Sequence, residues 1–362
     1  MSAPKPRPPR RTGRETGKYR GIPDGGQHFL LSPKANFLPV AKVVSMKEED
    51  AYRWFMRARF PETKGVAYCP ACGTLDATPI RRRRFVCTAK ECRKEFSVTS
   101  GTILASRKLS FKTLLLALAL SVHSVKGKAA CELKRELAVD YKTAFVLLHK
   151  LREALADARE GMKLEGVVEM DAMYLGGHVK PKNVKAERVD RRIAENRSGK
   201  RMAVMALRER KEGGRTLAAA VPGEQAAVAW HLVRNHVGRH AELRADQNPA
   251  YDELVGLHPL VRNDHSVAYV QEPGSSTNQA ESFFSRVRRA EVGIHHRISG
   301  KYLDWYAADV AWREDMSRTD FRTQAKSVLA TALRHGNSRN MAGYWQRSGK
   351  ADEPLVGWNP LD

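Results

Sequence analysis

The sequence predicts an α/β protein in which a mixed-sheet domain follows a small cysteine-bound ribbon and a helical domain. Three observations predict it. Four of the five cysteines, Cys69, Cys72, Cys87 and Cys92, fall within twenty-four residues. Residues 106–162 carry helical punctuation without strand-like alternation. From about residue 166 short apolar strand-like runs alternate with helical stretches.

Residues 1–45 are basic and rich in Pro and Gly, with few large apolar side chains. They are expected to form a disordered tail until an acidic partner is met. In the next unit, 46–105, an amphipathic helix is expected from Lys47 to Arg59. Cys69-Pro-Ala-Cys72 puts two thiolates on one turn; Cys87 and Cys92 follow after fourteen residues, spaced by four, and complete a tetrahedral set. Such clustering argues for structural Zn2+ in a zinc ribbon over disulfides. Gly73 suits the tight turn after the first pair, and Cys131 reads as a small core residue. Arg81 to Arg84 lie between the pairs, where a ribbon strand would expose Arg82 and Arg83 to phosphates.

Three helical segments are expected in 106–162: Ser110 to about Val125, Lys128 to about Leu137, and Tyr141 to about Arg159. Gly127 and Val139-Asp140 punctuate them, with Asp140 as N-cap of the last. A helix-turn-helix-like arrangement would send the third helix into a major groove, turning Tyr141, Lys142 and Thr143 to the bases and Val146, Leu147 and Leu151 to the core. A plain three-helix packing module is the alternative.

In 163–320 the expected strands are Val167 to Tyr174, ended by Gly176-Gly177, then Met202 to Leu207, Thr216 to Val221, Glu242 to Ala245 and Val267 to Val270. Helices are expected at Gln225 to Val237, Pro249 to Leu257 and Thr277 to Val292. This is the element order of a ribonuclease-H-like fold. His178 to Arg201, dense in Lys and Arg, reads as a long basic loop or hairpin arm, and 321–362 as a C-terminal tail.

Asp171 and Asp246 each leave a strand-like run, and Asn278 and Glu281 stand one turn apart at a helix start. Such an order can gather carboxylates around hard divalent cations, which activate a water or hydroxyl and stabilise the leaving oxygen of a phosphodiester. Each has a plainer reading. Asp171 could be an exposed strand acid. Asp246 could cap the next helix, although Pro249 at N1 makes Asn248 the better cap. Asn278 and Glu281 could form a capping box.

The formal charge of +23, from 63 Lys and Arg against 40 Asp and Glu, points to a polyanionic partner. No run of eighteen apolar residues exists, and Thr113 to Val122 is too short to span a bilayer. The N-terminal residues lack the apolar segment of a signal peptide. A cytoplasmic protein with no membrane partner is expected.

Cys69-Pro-Ala-Cys72-Gly73, Phe96 to Thr102, Glu169-Met170-Asp171, Tyr174 to Gly177, Asp246 with Ala250-Tyr251, and Thr277 to Phe283 carry a resemblance, extended by Gly293 to His296, Gly300 to Leu303 and Ala311 to Asp315. Over roughly 45–320 the chain resembles bacterial insertion-sequence transposases with an N-terminal zinc ribbon and a DDE-type catalytic domain, of the ISXO-like family numbered fifteen ninety-five. The resemblance implies an enzyme that binds the terminal inverted repeats of its element, cleaves at the ends and joins the 3' ends to target DNA. Asp171, Asp246 and Glu281 would hold two Mg2+ or Mn2+, with Asn278 a ligand or hydrogen bonder. Arg288 and Lys301, with Arg286, Arg289 and His296, would hold phosphates nearby. Double-stranded DNA, a homo-oligomer assembled on it and a place at the bacterial nucleoid are implied too. Ala172, Arg288 and Asp309 depart from residues common among the relatives. A non-catalytic DNA-binding regulator and a metal nuclease without strand transfer are the competing classes.

Overall fold

In the computed structural model of the protein, residues 29–32, 35, 37–176, 182, 184–189, 201–263 and 278–347 are described. The expected tail up to residue 28, nearly all of the basic stretch 178–201, and the expected strand Val267 to Val270 lie outside them.

Helix α1 (Val40–Ser45) and helix α2 (Glu48–Arg59) precede a three-stranded antiparallel sheet of β1 (Ala77–Ile80), β2 (Arg84–Cys87) and β3 (Glu95–Ser97). The start of α2 is acidic, with Glu48, Glu49 and Asp50 in its first turn, which suits the positive end of the helix dipole. Helices α3 (Phe111–His123), α4 (Ala130–Leu137) and α5 (Tyr141–Asp157) follow. Glu48 also fastens the start of α3, its carboxylate accepting from Phe111 N and Lys112 N at 2.9 Å each.

The second sheet contains β4 (Val167–Gly176), β5 (Arg201–Glu209), β6 (Thr216–Val221), β7 (Glu242–Asp246) and β8 (Leu260–Asn263), with helix α6 (Ala226–His236) between β6 and β7. Helices α7 (Asn278–Ala290), α8 (Gly300–Asp315) and α9 (Phe321–Arg334) end the series. The strand order is β6-β5-β4-β7-β8, antiparallel from β6 to β4 and parallel from β4 to β8. This is the mixed α/β sheet of a ribonuclease-H-like fold. Strand alternation divides the side chains between two cores. Val168, Met170, Leu243 and Ala245 pack with Val228, Leu232 and Val233 of α6. On the other face Met173, Leu175 and Val204 pack with Phe283, Phe284 and Val287 of α7 and Ala307 and Ala311 of α8.

One expectation needs correcting. The segment beginning at Phe321 is no tail: Ala325, Val328, Leu329 and Leu333 of α9 are buried in one core with Phe55, Phe111, Leu115 and Leu148. Its amphipathic spacing makes it the last helix of the N-terminal core. From Ala144 onward helix α5 is largely buried against α4, α8 and α9, with Leu147 and Leu151 in the core, while Tyr141 and Lys142 of its first turn are exposed and Val146 is half-buried. Among the described residues no helix is long and apolar enough to cross a membrane.

Candidate active site and metal centre

The sheet sets two acids side by side. Strands β4 and β7 run parallel in a register that pairs Glu169 with Arg244 and Met170 with Ala245. Asp171 and Asp246 are the next residues of each strand, so they sit at adjacent positions roughly 4.8 Å apart along the hydrogen-bonding direction. Because Met170 and Ala245 turn into the α6 core, both acids lie on the opposite face, the one covered by α7. Beyond the strand ends of an open sheet the loops leave room for a ligand.

Glu169, fully buried on that face, fastens α7 over the pair. Its Oε2 accepts from Gln279 N at 2.8 Å and Ala280 N at 3.0 Å, satisfying two amides of the helix's first turn. Arg210 Nε lies 3.7 Å from the other carboxylate oxygen. The first turn of α7 also carries Glu281, close enough to Asp171 for their charges to interact. Burial pushes the Asp171 carboxyl up to about 7, against a hydrogen bond from Ala172 N, and the like charges of Asp246, Glu224 and Glu281 add to the rise. Asp171 Oδ1 takes that bond at 2.7 Å, while Asp246 Oδ1 accepts from Asn248 N at 3.1 Å. Asn248 is the cap of the short 3-10 segment Pro249–Gly256, its Oδ1 accepting from Ala250 N, as its place before Pro249 predicts.

Glu224 was missed by sequence reasoning. It follows β6 and precedes α6, accepts from the Tyr251 hydroxyl at 2.5 Å, and is raised by burial and by the charge of Asp246. The hydroxyl of Tyr251, a fully buried residue, is in turn pushed up by burial and by Glu224. The available signal was an acid at a strand exit before a helix, hidden by the Pro-Gly turn in front of it. The side chain of Asn278 lies outside the described set; its backbone opens α7.

The second centre is the ribbon. Cys69 N donates to Thr74 O and Gly73 N to Cys69 O, closing the first turn with Gly73 at φ 76°. Cys87 N donates to Lys94 O and Cys92 N to Ala89 O, closing the second. The four ligand sulfurs lie within 4.8 Å of one another, an arrangement that could hold a metal ion. Cys69 Sγ is 3.7 Å from Cys92 Sγ and Cys72 Sγ is 3.5 Å from Cys87 Sγ, too far apart for disulfides. Hydrogen bonds from Thr74 pull the Cys72 thiol down to about 6, while desolvation and the Cys72 thiolate push Cys87 up. So close a set ionises fully only with a cation among the sulfurs.

The expected phosphate contacts separate. Arg82 is exposed in a left-handed turn. Arg83 is instead paired with Glu48 at 3.2 Å and Glu49 at 2.6 Å and lies over the Tyr52 ring. The acidic start of α2 neutralises it, so its first role is to hold ribbon and helix together. Arg288 and Arg289 are exposed on α7 and Lys301 is half-buried in the first turn of α8. Arg286 pairs with Glu314, which also accepts from Arg208 at 2.9 Å. His296 is exposed with φ 56°.

A mixed sheet flanked by helices on both faces, with acids at the ends of its central parallel strands, is the architecture of a ribonuclease-H-like domain. Residues 163–315 match the family model described as the ISXO2-like transposase domain. The match runs from just ahead of β4 to the end of α8, so this part of the chain is similar to that domain. No curated protein and no solved structure matches the chain.

Proposed function

We propose that the protein is a DNA transposase that binds the terminal inverted repeats of an insertion sequence, cleaves at the element ends and joins the 3' ends to target DNA. The observation that carries this reading is the juxtaposition of Asp171 and Asp246 on adjacent parallel strands, under a helix that bears Glu281 and is pinned by Glu169. An all-oxygen donor set of carboxylates fits hard divalent cations. Bound there, Mg2+ or Mn2+ would activate the attacking oxygen and stabilise the leaving one. Asp171, Asp246 and Glu281 are the ligands in this reading, Asn278 assists, and Arg288 and Lys301 hold the DNA near them. In each step one P–O bond forms as one breaks: water displaces the 3' oxygen at the element end, and the freed 3' hydroxyl then displaces an oxygen of target DNA.

The test is strand cleavage of element-end duplexes by the purified protein. Cleavage should require Mg2+ or Mn2+ and be lost in Asp171→Asn with DNA binding retained. Binding without cleavage under every divalent ion would leave a regulator in its place.

For the ribbon we infer Zn2+. Sulfurs 3.5 and 3.7 Å apart approach the roughly 3.8 Å edge of a tetrahedron built on Zn–S bonds of about 2.3 Å. Cys72→Ser is expected to release the metal and weaken DNA binding while the ribonuclease-H-like sheet stays folded. Metal analysis decides the point, since a variant that keeps one zinc per chain excludes Cys72 as a ligand.

A further inference from the structure

An open groove of about 1110 Å³ lies between the ribbon, the loop from Ser97 to Leu109, the start of α5 and the segment from Asn337 to Gln346. It exceeds the roughly 300–1,000 Å³ of ordinary small-molecule pockets, which favours a polymer. Its lining includes seven Lys and Arg residues and no Asp or Glu. Arg83 and Arg84 are held by Glu48, Glu49 and Glu95, and Arg107 lies over the Phe111 ring and donates to Leu109 O, so the charge it offers comes chiefly from Arg82, Lys108, Lys142 and Lys150. Lys142 also sits in the first turn of α5, where the helix end favours anions.

The far wall presents an aromatic ring. Trp345 is 74% exposed, yet the segment that carries it is firmly held. Buried Glu153 accepts from Ser338 Oγ at 2.5 Å, Arg339 N at 3.0 Å and Asn340 N at 3.1 Å. Asp157 pairs with His335 and Arg339 at 2.7 Å each, and the Tyr344 ring packs 5.4 Å from that of Phe145. An exposed indole on an anchored segment, beside a lane of cations, is the arrangement that binds single nucleic-acid strands, with phosphates on the cations and a base on the ring. Paired bases stay stacked inside a duplex and would leave the ring without a partner.

We propose that this groove binds an unpaired DNA strand, with its phosphates on Arg82, Lys108 and Lys142 and a base stacked on Trp345. The proposal rests on the DNA reading above but on none of its cleavage chemistry. Its test uses the full chain in zinc-replete buffer without Mg2+ or Mn2+. A fluorescent duplex with a single-stranded extension is compared with a blunt duplex of the same arbitrary sequence, by anisotropy across a salt series.

The wild type should prefer the extended probe, and Trp345→Ala should erase that preference, about tenfold being in the range for losing one base–aromatic stack. Its melting temperature should not change, because the ring is exposed. Lys108→Gln with Lys142→Gln should flatten the salt dependence by about 1.5 in log–log slope. Equal wild-type affinity for both probes, or wild-type behaviour in both variants, overturns the proposal. A preference for the extension in a protein that never cleaves would uphold the groove and sink the transposase chemistry; cleavage by a Trp345→Ala variant that still prefers the extension would do the reverse.

Discussion

Glu281→Gln is expected to abolish metal-dependent cleavage of pre-bound element ends, by roughly a thousandfold or more, while DNA binding is unchanged; Asn278→Ala should slow cleavage less. Two divalent ions bring four positive charges, which a third carboxylate offsets better than a neutral amide. Losing about 4 kcal/mol of transition-state stabilisation corresponds to that thousandfold. Both residues lie in the first turn of α7, about 60° apart around the helix. Glu281 is the one whose charge is felt at Asp171. Single-turnover assays decide between them. A dead Asn278→Ala beside an active Glu281→Gln would mean a site of two aspartates and one asparagine.

The second large effect belongs to Asp309, a buried carboxylate clasped by two arginines. Its Oδ2 lies 3.2 Å from Arg152 Nε and its Oδ1 2.9 Å from Arg313 Nε. Arg152 also donates to Lys128 O, and Arg313 to Ser121 O and Ser124 O. The cluster joins α8 of the sheet domain to α3, α5 and the α3–α4 turn. Removing the acid leaves two buried guanidiniums uncompensated, so Asp309→Ala should cost about 3–5 kcal/mol in urea unfolding. A loss within about 1 kcal/mol, the range of an exposed pair, would show that the cluster does not hold the two parts together.

Acid dependence follows with a definite sign. Burial works against the charged form, but Arg313 and then Arg152 hold the Asp309 carboxyl below the ordinary range. Its contribution is therefore full above the unfolded value near 4 and is lost as pH falls through the lower folded value. Asp309→Asn should have a flatter stability profile below about pH 4 than the wild type.

The local parts of this architecture were readable in the sequence. Asn248 before Pro249, Gly73 after the first cysteine pair and the strand around Asp171 depend on a few neighbouring residues, and each falls where its chemistry places it. What depends on distant packing was not readable. Strand β8, Leu260–Asn263, is four residues long and owes its pairing to β7. Helix α8 was seen only as scattered motif residues, because Leu303, Trp305, Ala308 and Trp312 bury it on several sides and blur an amphipathic stripe. Glu169 was visible as a strand acid, but the amides it caps lie 110 and 111 residues further on. Arg83 looked like surface charge for a similar reason, since Glu48 and Glu49 stand 35 and 34 residues before it.

Helix α9 closes a core begun by α2, α3 and α5, with the whole five-stranded sheet domain threaded between them. During synthesis the apolar faces of those early helices emerge long before the strip that seals them. At about 5–20 residues per second the ribosome takes on the order of ten to thirty seconds to supply it. For that interval the nascent chain carries an open hydrophobic seam, so its yield should depend on chaperone holding, and a chain cut short before α9 should be lost to aggregation or proteolysis even with its sheet and acids complete.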